Sequence, residues 1–126
     1  MDKKTSAAVS WEGDRFSGSA SGHTGNLDMR WNRVGSNLTV ETVRYMFTAN
    51  GDRHSANINF EVKAENGATW KLNSPDNRRQ DGLWNDWATT HTIAVGASGW
   101  IDIFVTFIFD MGGPDDRRTV SKRVDI

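Results

Sequence analysis

In "LWNDW", residues 83–87, two tryptophans bracket Asn85 and Asp86. An indole has a flat apolar face that can stack on the C–H surface of a sugar ring, on a nucleobase or on a cation, while an adjacent amide and carboxylate supply directional hydrogen bonds. That combination suits a carbohydrate. Arg79 and Asp81 lie just upstream, and a second polar segment, "TANGDRH" at 48–54, contributes Asp52 and His54. The expected ligand-binding set is therefore Trp84, Trp87, Asn85, Asp86, Asp81, Arg79, Asp52 and His54. A structural explanation competes with it: Leu83 and Trp87 are four apart, the spacing of one helical turn, and with Trp84 they would fold inward as the loop's own plug.

Other chemistries fit less well. The Asp-rich runs "DNRRQDG" and "DMGGPDD" carry the hard oxygen ligands that calcium prefers, but neither follows the EF-hand pattern. Acidic turn residues beside Arg78, Arg79, Arg117 and Arg118 more often make solvated ion pairs, so calcium is a secondary expectation and no cofactor is assigned. His23, His54 and His91 do not share a strand at ligand spacing, which argues against a transition-metal site. Acid–base catalysis requires two carboxylates whose pKa values are driven apart. Asp81 with Asp86, or Asp110 with Asp115, are the available pairs, and loop aspartates ordinarily stay ionised. "GSASG" at 18–22 centres on Ala20 rather than a nucleophilic serine, and no phosphate-cradling Gly-x-x-x-x-Gly-Lys occurs. The chain reads as a non-enzyme. Asn37-Leu38-Thr39 matches a glycosylation sequon, taken here as chance.

Such residues need a scaffold, and 126 residues suffice for one domain, 1–126, with a single core. Fifteen Lys and Arg against sixteen Asp and Glu provide no broad positive field, so nucleic acid is not an expected partner. Without cysteine there are no disulfides, thiolate zinc sites or cysteine nucleophiles. The first residues lack the apolar run of a classical signal peptide. The most hydrophobic segment, "GWIDIFVTFIFD", falls far short of the roughly 20 residues of a membrane-spanning helix. These features describe a soluble chain with no transmembrane segment, cytoplasmic or released by a non-classical route.

Apolar residues recur at alternate positions: Leu27, Met29, Trp31; Ile58, Phe60, Val62; Ile101, Ile103, Val105, Phe107, Phe109. This is the period of a strand with one buried face, and no segment shows a comparable helical period. The pattern predicts an all-β, antiparallel β-sandwich of about nine strands, near 5–11, 14–20, 26–32, 36–47, 54–64, 67–73, 91–97, 99–109 and 117–124. In the strand at 36–47 the apolar parity changes between Val40 and Val43, as a bulge or a crossing between sheets produces. Trp11, Trp31, Trp70 and Trp100 are expected to pack in strands. The strand at 99–109 is apolar on both faces, so its outer face needs cover, from the long loop, a neighbour or a second subunit.

Alternating strand direction sorts the connections. Short turns at 12–14, 32–37, 65–67 and 97–99 share one end; 20–26, 48–54, 73–91 and 110–117 gather at the other, with all three histidines. Long polar loops on a rigid scaffold commonly form a binding surface. The sequence thus suggests a lectin-like module binding carbohydrate or another cell-surface ligand at its loop-rich end. The alternatives are a structural subunit forming a homo-oligomer or larger assembly and, third, a membrane-active protein or a loop-carboxylate enzyme.

Overall fold

The strand and turn chemistry produces eight β-strands and no helix among the described residues. The computed structural model describes residues 10–51, 53–75 and 77–126. Its strands are β1 (Glu12–Ala20), β2 (His23–Val34), β3 (Asn37–Phe47), β4 (Asn57–Ala64), β5 (Thr69–Asn73), β6 (Asn85–Ala94), β7 (Trp100–Phe109) and β8 (Asp116–Asp125). Sheet I has the order β1-β2-β3-β6 and sheet II the order β5-β4-β7-β8, with every neighbouring pair antiparallel. The sandwich is as expected. No helix among the described residues is long and apolar enough to cross a membrane.

Alternation places Phe16, Leu27, Met29, Leu38, Val40, Tyr45 and Phe47 of sheet I against Ile58, Phe60, Val62, Ile101, Ile103, Val105, Phe107 and Phe109 of sheet II, all buried. Phe47 meets Phe107 and Phe109 edge to face, at centroid distances of 6.0 and 5.6 Å, a favourable aromatic arrangement. Gly18 and Gly25 pair across β1 and β2 and make room for Phe107. A Cβ on Gly25 would lie 2.4 Å from Phe107 Cδ1.

The change of parity in β3 is a bulge. Asp28 pairs with Arg44 and Met29 with Thr42, which leaves Val43 without a partner on β2. The extra residue restores Tyr45 and Phe47 to the core and turns Val43 outward, 37% exposed.

Several boundaries differ from the expected ones. Most of the strand at 5–11 lies outside the described residues. The turn at 12–14 is instead the start of β1, where Glu12, Gly13 and Asp14 pair with Trp31, Arg30 and Met29. The connection at 20–26 shrinks to Ser21 and Gly22, with φ of 51° and 80°, the two positive φ values of a tight hairpin turn. The loop at 73–91 is shorter too, because β6 begins at Asn85. Thr89 and Thr92 align opposite Thr42 and Thr39 and share hydroxyl contacts of 2.6 and 3.0 Å. β-Branched threonines suit a pleated strand although they carry no apolar signal.

Of the tryptophans expected to pack in strands, Trp31 alone is buried. Trp11 precedes β1, Trp70 stacks on His91 at 5.0 Å, and Trp100 lies under the Arg123 guanidinium at 3.6 Å. The outer face of β7 is covered by its own neighbours: Arg123 over Trp100 and paired with Asp102, Thr119 bonded to Thr106, and Ile108 buried. Among the described residues, the large exposed apolar side chains are Val34, Val43 and Leu83, none on β7.

Candidate functional site

The four connections between residues 20 and 116 that were expected at one end do gather there. Ser21 donates to Asp116, the Thr48 amide to the Thr24 carbonyl, and Asn50 Nδ2 to the Asp110 carbonyl at 3.1 Å. At the opposite end Arg33 reaches the Gly96 and Ser98 carbonyls, and Ile126 bonds to Gly99. The loop end is locked by Gln80, which has no exposed surface. Its carbonyl accepts from the Asn50 amide at 2.9 Å, its amide donates to the Arg53 carbonyl at 3.1 Å, and its Oε1 accepts from the Asp110 amide at 2.6 Å. One buried residue, through its main chain and its side-chain oxygen, therefore fastens three loops. Nothing in "NRRQDG" distinguishes Gln80 from its exposed neighbours, so its role was illegible in the sequence.

Around this lock lie two adjoining concavities of about 480 and 580 Å³, which share Gly51, Arg53 and His54. Asn50 and Asp110 line the first; Asn77, Arg79, Gln80 and Asp81 line the second. Arg79 and His54 are exposed there, as a binding role requires. Asp52 lies outside the described residues. Asp81 Oδ1 accepts from the Leu83 amide at 3.0 Å and from Asn85 Nδ2 at 3.4 Å, closing the turn into β6. Among the described residues, no three His, Asp or Glu side chains are grouped to hold a metal ion.

The "LWNDW" segment divides. Trp87 is the third residue of β6, 7% exposed and part of the core, so its ring offers no face to a ligand. The Arg78 guanidinium caps it and Tyr45, 5.2 Å from each ring. Leu83 points the other way, 64% exposed, so the three apolar residues of this loop do not form a plug. His91 lies midway along β6 rather than at the loop end. Asp86 is exposed on β6 opposite Arg44.

Trp84 reaches the outer face of sheet I. Its ring centroid lies 4.5 Å from Arg15 Cζ and 4.2 Å from Arg44 Cζ. Pairing aligns Arg15, Asp28 and Arg44 across β1, β2 and β3. Arg15 grips Asp28 through Nε at 2.6 Å and a second nitrogen at 3.0 Å, and Arg44 Nε reaches Asp28 Oδ2 at 2.8 Å. Both guanidinium groups touch the same carboxylate oxygen, so they lie side by side along the indole instead of on its two faces. The indole is half-buried, and part of it meets solvent.

The electrostatics of this face are those of fixed ion pairs. The Arg15 hydrogen bond, with Arg44 adding to it, holds the Asp28 carboxyl below its usual range, and Arg15 in turn is pushed up. Arg30 does the same to Glu41, aided by Thr90. Charge-assisted pairs of this kind hold planar groups in fixed orientation. No sequence signal joined Arg15, Asp28 and Arg44 to Trp84; two hairpin registers place the three charged residues in one row, and the segment leading into β6 lays Trp84 over it.

No protein-family model, curated protein or solved structure matches this chain.

Proposed function

We propose that this protein is a non-enzymatic binding module for carbohydrate, with Trp84 as its stacking residue. The carrying observation is the part-exposed indole held against two guanidinium groups that one carboxylate fixes in turn. A ring immobilised in the free protein loses little further freedom when a sugar stacks on it, which favours binding. A cationic ligand is disfavoured, because the ring already serves two cations and like charges repel. Asp86 beside Arg44, and Asn85 with Asp81 at the turn, supply acceptors and donors next to the indole. Arg79 and His54 extend the polar surface into the loop-end cleft. A binding role also suits the carboxylates: where their pKa departs from the usual range, at Asp28, Glu41, Asp102 and Asp116, it is lowered, whereas a general acid needs it raised.

The test is a glycan array probed with wild type and Trp84→Ala, with Leu83→Ala as a nearby exposed control. Binding by wild type and the control, lost in Trp84→Ala, is the expected result. Equal binding by all three would remove Trp84 from the site.

A second reading, self-association, is favoured by β6. It is a ten-residue edge strand without Lys or Pro, two of the residues that usually protect edges, and its one charged side chain, Asp86, lies near its start. Light scattering across micromolar concentrations tests it. A monomer throughout rejects it, whereas a dimer abolished by Thr90→Lys, which sets like charges together at a paired edge, supports it.

A further inference from the structure

We infer that the carbohydrate site is a groove along the outer face of sheet I, from Trp84 to Trp11, and that it takes an internal stretch of a linear, uncharged glycan chain. The inference rests on the carbohydrate reading and specifies its ligand.

Trp11 supplies a second indole on this face, set on a single guanidinium rather than on two. Arg30 Cζ lies 4.3 Å from its ring centroid, and Arg30 Nε is bonded to Glu41 Oε1 at 2.7 Å. Each indole is therefore set against guanidinium that a carboxylate on the neighbouring strand holds in place. Arg15 and Arg30, on which the two indoles rest, line one shallow, open depression of about 480 Å³ together with Gly13, Asp28 and Val43. Two local features open this hollow: Gly13 has no side chain to fill it, and the bulge turns Val43 outward as an apolar wall. From Trp11 to Arg15, where Trp84 rests, the strand advances four residues, on the order of 13 Å at the usual rise. That span exceeds one sugar ring, so two indoles so placed address separate residues of a chain.

Charge selects the chain. Asp28 bridges Arg15 and Arg44, Asp86 stands opposite Arg44 on β6, and Glu41 holds Arg30, so three carboxylates face three guanidinium groups. Guanidinium edges and carboxylate oxygens thus alternate along the groove, a mixture of donors and acceptors that suits hydroxyl groups. Cations already paired offer a polyanion little that is new.

Calorimetry of the full chain with cello-, xylo- and chito-oligosaccharides of one to six residues tests this. Affinity should rise at least tenfold from two to six residues in one series. Trp11→Ala and Gly13→Leu should each reduce the six-residue affinity to the two-residue level. A Cβ on Gly13 meets nothing nearer than 3.5 Å, so Gly13→Leu fills the groove without disturbing the fold, as an unchanged melting temperature would verify. Binding that is independent of length, or a folded Gly13→Leu variant equal to wild type, overturns the groove while the carbohydrate reading stands. Preference for heparin fragments of equal length overturns the uncharged chain. Absence of binding in every series, heparin included, removes the carbohydrate reading and the groove with it.

Discussion

The two outer faces of the sandwich are built from the same residue types and differ in what they leave open. On sheet II, Trp100, Arg123 and Asp102 form one compact cluster: the guanidinium lies 3.6 Å over the ring and grips the carboxylate through two nitrogens. On sheet I, three arginines, two carboxylates and two tryptophans are distributed over three strands and both ends of the face. The hollow that Arg15 and Arg30 line is twice the size of the one beside Phe104 on sheet II, 480 against 240 Å³. Residue type alone therefore does not mark a site. A lone tryptophan capped by one arginine completes a surface, as Trp100 does, whereas two capped tryptophans set apart on one face frame the surface between them.

Both faces rest on a shared core, and the largest expected effect tests that. Gly25→Ala places a methyl group inside the Phe107 ring, which must move against Phe47. Overpacking of this kind costs about 1–3 kcal/mol, more than any surface change considered below. Chemical denaturation should show that loss with a single transition on both faces. A variant as stable as wild type would mean that the sheets can slide apart at Phe107 and are not one packed unit.

The next effect separates the faces. Trp84→Ala should weaken glycan binding at least tenfold with little change in stability, because its ring lies on the surface. Trp100→Ala should leave binding within twofold of wild type. Titration calorimetry with a hexasaccharide decides this, and the reverse ranking would move the site to sheet II.

A smaller effect comes from Asp28, the carboxylate that sheet I places between two arginines. Asp28→Asn releases Arg15 and Arg44 from their shared partner and with them the support of Trp84. Exposed ion pairs contribute about 1 kcal/mol or less, so stability should barely change while affinity drops several-fold. Asp102→Asn is the matched control on sheet II and should leave affinity unchanged. If the two variants bind alike, the support beneath Trp84 is immaterial.

How much of this contrast the sequence displayed depends on which physical signal each part leaves. Alternation at Leu27–Trp31, Ile58–Val62 and Ile101–Phe109 revealed the sandwich, because burying one face of a strand forces a period of two. Chain reversal then placed the loops at one end without any knowledge of side-chain contacts. β6 was half hidden: Thr89 and Thr90 pair well in a sheet yet look like loop residues by polarity. Trp87 looked equivalent to Trp84, but three residues further along, within β6, its side chain turns into the core. The Arg15–Asp28–Arg44 row was invisible, since it depends on the register of two hairpins and a bulge at Val43. Gln80 was invisible for the same reason, its partners being backbone groups of distant loops.

The smallest effect is one of pH. The folded pKa values of Asp28 and Glu41 lie below their ordinary values of 3.8 and 4.5, so their stabilisation is complete above that range and is lost as pH falls through the lowered values. Asp102 on sheet II behaves likewise, held down by Arg123. Acidification below about pH 4 should therefore lower the melting temperature through both faces, but affinity only through sheet I. Between pH 8 and 5 the affinity should stay constant within twofold. Calorimetry across that interval is the measurement. A transition within that interval would mean that a group other than these carboxylates controls binding, and would move the binding centre away from the paired residues of sheet I.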